Sequence, residues 1–376
     1  MPLPKSRLQH PESVLVTGGA GFVGSHLSLA VKGRFPSARV VAMDNLYRKG
    51  SELNVERLRN AGCEFVQGDI REREQFPDGP FAVVLECSAE PSVLAGINES
   101  PDYLMQTNLM GTYECLEKSR EWGASIIFLS TSRVYPIAEM EAHPWQEEET
   151  RFSWKDRILK CGIQDTGKNR NPVISSRGVR EELTHQSGAR SLYGFTKYAS
   201  ELLIEEYRAN FGLQAVINRC SVIAGPWQMG KVDQGVVGLW VLRHYFKQPL
   251  SYIGYGGKGK QVRDVLHVSD LSKLICRQIA DWDQWEGWCG NVGGGLSVSM
   301  SLLELTSLCE EVTGNRIEIH SVPETRQADL RVFLADCSRI EQQYGWRPEH
   351  AVRHIVQDVF EWIRENEDSL KKLEIF

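Results

Sequence analysis

A doubly wound, parallel α/β sheet followed by a smaller mixed α/β subdomain is the fold class that this sequence predicts. Three observations predict it. Short apolar, β-rich runs alternate with helical stretches through the first half of the chain, a glycine-rich turn joins the first run to the first helix, and the composition changes after Pro226. Strands covered on both faces read as continuous apolar runs, and a βαβα order requires the strands to pair in parallel.

Taken in order, residues 13–17, 39–44, 64–68, 82–87 and 125–130 read as buried strands, with helical segments at 22–32, 52–61 and 102–122 between them. A long amphipathic helix at 193–211 leads into a sixth strand at 214–219, so residues 13–225 are expected to form the first domain. Residues 139–190 break the rhythm. They are polar, with an acidic run at 147–149 and a basic, asparagine-rich patch at 168–171. A stretch of that length without regular elements marks a functional lid or a partly mobile insertion. After Pro226 the chain is rich in Trp, Tyr and Gly. Residues 226–365 are expected to build the subdomain over the carboxyl edge of the sheet, where ligands bind in such folds, with one segment returning to the first domain. Trp282, Trp285 and Trp288 read as a turn packed on the core rather than a ligand platform.

The bulk properties narrow the function classes. The chain has 376 residues, 41% hydrophobic and 24% charged, and a formal net charge of -6. Nucleic acid and anionic membranes repel an acidic surface, so neither is an expected partner. No apolar run approaches the roughly 20 residues that span a bilayer. Residues 1–12 are polar, without a hydrophobic segment suited to secretion. The nine cysteines are scattered, with no C-x-x-C pair and no cysteine–histidine spacing suited to a metal, which points to a reducing cytoplasm and to no metal site.

Thr17-Gly18-Gly19-Ala20-Gly21-Phe22-Val23-Gly24 follows the first strand and opens the first helix. Gly18 permits the tight turn, Gly21 lets the backbone approach a pyrophosphate, and Gly24 lets the helix pack closely on the sheet. The helix N-terminus then offers N–H donors and partial positive charge to phosphates. Asp44 ends the second strand about twenty residues on, where a carboxylate accepts from ribose hydroxyls and repels a 2′-phosphate. NAD is therefore expected rather than NADP, a preference that Arg48 and Lys49 temper. Gly68-Asp69-Ile70 ends the third strand at the height of an adenine.

Tyr193 and Lys197 stand at i and i+4 on one helix face. An ammonium beside a phenol stabilises phenolate and draws its pKa down from about 10, so that the tyrosine can take a proton from a hydroxyl and return it. Leu129-Ser130-Thr131-Ser132 at the end of the fifth strand supplies a hydroxyl for the same substrate oxygen. Asn108 completes the set, either in catalysis or as a helix cap or strand clip.

These motifs together resemble the extended short-chain dehydrogenase/reductases that modify nucleotide sugars, the NAD-dependent epimerase/dehydratase family, over about 14–348. Within it the chain is most similar to the CDP-paratose (CDP-tyvelose) 2-epimerases. That similarity rests on Asp44-Asn-Leu-Tyr-Arg-Lys-Gly50, Asp233-Gln234-Gly235, Gly259-Lys-Gln-Val-Arg-Asp-Val-Leu-His267, Asn291-Val-Gly-Gly294 with Ser301-Leu-Leu-Glu-Leu305, and Arg331-Val-Phe-Leu-Ala-Asp336. The resemblance implies Thr131, Tyr193 and Lys197 as catalytic residues. It implies Gly18, Gly21, Phe22, Val23, Gly24, Asp44, Asn45, Asp69 and Ile70 as NAD-binding, with Cys87, Ser88, Asn108, Tyr193 and Lys197 on the nicotinamide side. Thr131, Gln234, Arg263 and Arg331 would face a nucleotide-diphosphate sugar, and the protein would form a homodimer or a higher homo-oligomer through the helices at 102–122 and 193–211. The sequence departs from the family at Glu86, where histidine is usual, at Glu90, where glutamine is common, and at Pro136 and Ala224-Gly225; residues 139–190 are also longer than in its paratose epimerases.

Sugar-nucleotide dehydratases of this class carry Asp-Glu directly after the strand-five threonine, and the decarboxylases a Glu just before the Val-Tyr. This chain has Ser132 and Arg133 there. Neither supplies a carboxylate, so redox-neutral epimerisation without a metal is the expected reaction. A UDP-sugar 4-epimerase, or an NAD-binding protein without catalysis, is the alternative.

Overall fold

The structure is a computed structural model that describes residues 10–97, 99–155, 173–230 and 234–373. Its centre is a seven-stranded parallel sheet. The strands are β1 (Ser13–Thr17), β2 (Arg39–Asp44), β3 (Glu64–Gln67), β4 (Val83–Glu86), β5 (Ser125–Thr131), β6 (Ala215–Cys220) and β7 (Cys289–Val292), in the spatial order β3-β2-β1-β4-β5-β6-β7. The order reverses between β1 and β4, the crevice in which doubly wound sheets hold ligands. The doubly wound class is as expected, and β7 is the segment that returns from beyond Pro226.

Alternate residues of each strand feed the two faces. Val14, Val16, Val40 and Ala42 pack with Leu27 and Val31 of helix α1 (Phe22–Arg34) and with Leu271 and Ile275 of a helix at Val268–Ala280. Leu15, Val41, Val84, Ile126 and Phe128 pack on the other face with Cys115 and Leu116 of α2 (Gly111–Trp122) and Ile204 and Tyr207 of α3 (Ser191–Phe211). The segment before α2 is not one straight helix. Asp102–Met105 runs into a π turn at Gln106–Met110, the kind of bulge that re-aims side chains near sites. Trp282, Trp285 and Trp288 are buried in the first of these cores, with Tyr344 stacked on Trp285 at 3.6 Å.

A second core lies after Pro226, among helices Val236–Tyr245, Leu302–Thr313 and Val352–Glu365. Beside it, the strand Val262–His267 pairs with Val222–Ala224, Ser299–Ser301 and Val332–Phe333. The stretch expected to lack regular structure is instead partly ordered. It holds a helix at Ile137–Ala142, a hairpin of Trp145–Glu147 with Phe152–Trp154, and a second of Ile174–Ser175 with Gly178–Val179. Strands of two or three residues carry no readable period, and their anchors are distant in sequence: Glu147 pairs with Lys258 and Lys260, and Arg151 with Glu304. The basic patch at 168–171 and Cys161 lie outside the described residues; the described cysteines are free thiols. Among the described residues no helix is long and apolar enough to cross a membrane.

One buried network joins α3 to the sheet. Arg219 Nη2 of β6 stands 2.8 Å from Glu201 Oε2, Ser130 Oγ of β5 donates to Glu201 Oε1 at 2.5 Å, and Arg219 Nη1 donates to the Glu181 carbonyl at 3.3 Å. Removing one partner of such a pair strands the other charge without water. Glu201→Gln is therefore expected to cost about 3 kcal/mol in urea unfolding, and the double variant Glu201→Gln/Arg219→Met to recover part of that loss.

Candidate functional site

The turn after β1 is shaped by contacts that only glycine allows. Gly18 has φ +63°, and a Cβ there would lie 2.9 Å from the Cys87 carbonyl oxygen on β4's continuation. A Cβ on Gly24 would overlap the carbonyl oxygen of Gly18. Gly21 caps α1 without a side-chain hydrogen bond, so the first N–H groups of the helix are left for a ligand. Asp44 supports the same turn: its Oδ2 accepts from Ala20 N and Gly21 N at 3.1 Å each, and its Oδ1 from Leu46 N at 2.8 Å. Burial raises the Asp44 pKa above its ordinary value, and these three bonds only partly restore it.

A cleft of about 720 Å³ opens beside this turn, lined by Gly18, Gly21, Asp44, Asn45, Asp69 and Ile70, with Cys87 and Ser88 at its inner end. Asn45 Nδ2 donates to Asp69 Oδ2 at 2.9 Å, and Arg71 grips the same carboxylate at 2.7 Å. Burial pushes Asp69 up, but the bonds from Arg71 and Asn45 win and hold it at about 2. Tyr47 and Tyr103, with ring centroids 4.7 Å apart, form the outer wall. The cradle that added Cβ atoms would fill, the free helix N-terminus and the carboxylate at the end of β2 fit a dinucleotide.

The cleft continues into a compartment of about 390 Å³ that touches Gly21, Phe22, Val23, Gly24, Thr131, Ser132, Arg133, Tyr193 and Lys197. The fold thus brings the Thr131 hydroxyl at the end of β5 to the phenol and ammonium of α3. Among the strand-five hydroxyls, Ser130 is committed to Glu201, whereas Thr131 hydrogen-bonds the Tyr193 phenol. Tyr193 is 9% exposed. Burial lifts its pKa above the ordinary value, and Lys197, Thr131 and Arg133 offset only part of that. The expected downward shift is therefore outweighed by desolvation. Lys197 lies over the Phe128 ring at 4.3 Å, and its Nζ stands 3.4 Å from Glu86 Oε2 at the end of β4.

Asn108 lies outside the lining of the cleft. It is fully buried in the π turn, where Oδ1 accepts from Glu90 N at 2.8 Å and Nδ2 donates to the Glu90 carbonyl and to Thr196 Oγ1. Of its two readings the structure gives the clip, because all its polar atoms are spent on holding the loop after β4 to α3.

A third compartment of about 440 Å³ shares Arg133, Gln234 and Gly235 with the second and is rimmed by Arg243, Arg263, Arg326 and His320. Arg263 is held by Asp329 at 2.7 Å. Gln234 donates to Glu90 Oε1 at 2.8 Å and accepts from Arg48, which crosses the cleft from the other lobe. Arg331 departs from expectation. It lines none of these three compartments: its backbone N–H and guanidinium are both bound by Glu141, and the guanidinium is sandwiched by Trp145 and Tyr255 at 4.5 and 4.6 Å. Its hydrogen-bond and ring partners are thus inside the protein. Arg133, Arg243 and Arg326 take the compartment instead. Arg133 was readable as the cation one residue beyond Ser132, but nothing local marks Arg243 or Arg326.

The fold also gathers His267, His350 and Asp358, a group whose spacing no sequence motif announced. His267 Nδ1 accepts the Ser269 N–H and caps the helix at Val268–Ala280, its Nε2 lies 3.2 Å from Asp358, and His350 Nδ1 faces Asp270 at 2.8 Å. These contacts account for the group as a capping and ion-pair cluster.

Comparison with known proteins bears on the same residues. The model of the NAD dependent epimerase/dehydratase family matches residues 14–156 and 170–287. A CDP-paratose 2-epimerase of Salmonella typhi is 30% identical over 365 residues, covering 93% of this chain and 98% of its own. A putative UDP-glucose 4-epimerase of Methanocaldococcus jannaschii is 26% identical over 94% of this chain and 99% of its own. Among solved structures, a UDP-glucuronic acid 4-epimerase from Bacillus cereus superposes with a TM-score of 0.73 at 22% identity, covering 94% of this chain and 99% of the other, and has the same fold.

Adding one methyl at Gly24 is expected to displace the turn and weaken NAD binding at least about tenfold in calorimetry, the equivalent of about 1.4 kcal/mol. Gly33 of the same helix meets nothing within 4 Å, so Gly33→Ala is expected to leave binding unchanged and add about 0.5–1 kcal/mol of stability.

Proposed function

The chain belongs to the NAD dependent epimerase/dehydratase family, and within it we propose an NAD-dependent nucleotide-sugar epimerase that works through transient oxidation of the sugar to a ketone. The observation that carries this reading is the meeting of Thr131, Tyr193 and Lys197 in one compartment, between the glycine turn and the arginine-rimmed pocket. Gly18, Gly21, Phe22, Val23, Gly24, Asp44, Asn45, Asp69 and Ile70 hold the dinucleotide, with Cys87 and Ser88 at its nicotinamide end. Gln234, Arg263, Arg133, Arg243 and Arg326 receive the nucleotide diphosphate, whose oxygens match the paired donors of guanidinium groups.

When bound, NAD supplies the acceptor and later the donor of hydride, together with a fixed positive charge in its oxidised form. Tyr193 takes the proton of the sugar hydroxyl as the phenolate, a form that its burial opposes and that Lys197, Arg133 and the positive charge of bound oxidised NAD would favour; Thr131 orients that oxygen. The keto sugar turns over in the compartment, and Tyr193 returns the same proton once reduction occurs on the opposite face. Protons and electrons balance within one turnover. Ser132 and Arg133 line the compartment where dehydratases and decarboxylases of this class need carboxylates, which disfavours those outcomes.

A CDP-linked 2-epimerase is the favoured substrate reading, supported by the 30% identical relative that matches nearly end to end. A UDP-sugar 4-epimerase is the second reading, supported by relatives named UDP-glucose 4-epimerase at 25–26% identity. Met110, Phe195, Leu202 and Phe211, on the π turn and α3, expose apolar surface of 42%, 48%, 52% and 57%. We place the self-association face of a homodimer there.

Incubation with CDP-, UDP- and GDP-sugars in deuterated water is expected to give an epimer with little deuterium, most rapidly from a CDP-sugar. Substantial deuterium in the product would replace the ketone route with C–H deprotonation. Tyr193→Phe is expected to lower turnover by about 10²–10⁴ with NAD binding retained, and undiminished turnover would remove the phenol from the mechanism. Light scattering of Leu202→Glu is expected to report a monomer; an unchanged dimer would move the interface elsewhere.

A further inference from the structure

Glu86 is the last residue of β4, and it is fully buried. Its Oε2 stands 3.4 Å from Lys197 Nζ, whose side chain is itself 3% exposed, while its Oε1 has no hydrogen-bond partner among the described residues. A carboxyl enclosed in this way costs stability unless its charge serves a neighbour. The neighbour is the ammonium assigned above to Tyr193, so the inference deepens the proposed epimerase reading and rests on it.

We propose that Glu86 is a positioning residue for the reaction: its carboxylate draws Lys197 to the end of β4 and cancels part of the ammonium's field at the Tyr193 phenol. Tyr193 meets Lys197, Thr131 and the Arg133 guanidinium, with the Cys220 thiol behind it. Glu86 meets Lys197 and the Ser88 N–H, and the thiols of Cys87 and Cys115 lie next to it. Burial raises the pKa of each of those three thiols, which keeps them neutral at working pH. The charges that act directly on the phenol are those of Lys197 and Arg133, and Glu86 reaches it through its contact with Lys197. Burial also raises the Glu86 carboxyl, against the pull of Lys197 and Ser88, so a change at this one position alters the charge that reaches the phenol.

The first test follows Tyr193 ionisation without any sugar. Tyrosinate absorbance is titrated in the wild-type chain and in Glu86→Gln, each with its Tyr193→Phe counterpart subtracted. Glu86→Gln is expected to move the Tyr193 transition to lower pH by about 1 unit, the size of a nearby charge's effect. The second test follows the pH profile of epimerisation, whose acid limb is expected to move the same way by the same amount. An unmoved transition, or one moved to higher pH, overturns the proposal. If Glu86→Gln does not fold, judged by circular dichroism, Glu86→Asp replaces it, and its shorter carboxylate is expected to give a smaller shift in the same direction. Loss of all nucleotide-sugar turnover in the wild type would sink the epimerase reading alone, because the absorbance titration reads Glu86 independently of substrate.

Discussion

The inward face of α3 places Tyr193, Lys197 and Glu201 at successive i, i+4 steps, and the protein depends on keeping that charged stripe dry and neutralised. Two of the three are ionic, and each finds its counter-charge on a strand end: Glu86 of β4 for Lys197, and Arg219 of β6 for Glu201. Neither pair gains much over an apolar core by Coulomb attraction alone, because desolvation cancels most of it. Their effect is registration. With β4 and β6 on either side of β5, the helix is pinned along its axis, and the phenol is held opposite Thr131 rather than a turn above or below it.

The same stripe explains which parts of the molecule were legible. The strands of the central sheet are read from residues such as Val14, Leu15 and Val16, whose burial on both faces leaves a plain apolar signature, and the glycine turn from steric needs that few other residues meet. Tyr193 and Lys197 are legible because their spacing is local. Asn108 was readable only as one of two alternatives, since the partners that decide its role, Glu90 and Thr196, lie 18 and 88 residues away. Arg331 shows the converse: an arginine in a matching motif suggests phosphate, but here its partners are Glu141 and two aromatic rings, all contributed by distant segments. The short hairpins within 139–190 escaped notice because strands of two or three residues have no period to detect.

Charge is apportioned along the cleft. The first cleft mixes charges, with Asp44 and Asp69 beside Arg48 and Lys49, whereas the third compartment carries Arg133, Arg263 and Arg326, and Arg243 lines both. Arg48, Gln234 and Glu90 form a polar bridge between the two lobes near the middle. A phosphate-bearing molecule would therefore meet the greater number of guanidinium groups in the third compartment.

Asp44 carries a consequence for how this protein can change over generations. Its carboxylate both lines the cleft and holds the backbone of Ala20 and Gly21 in the turn. An ancestor drifting toward a phosphorylated dinucleotide would need to remove the negative charge, and in doing so would release the loop that grips any dinucleotide at all. The two traits are welded into one heritable unit, and a switch of cofactor requires a compensating change in the turn to arrive first.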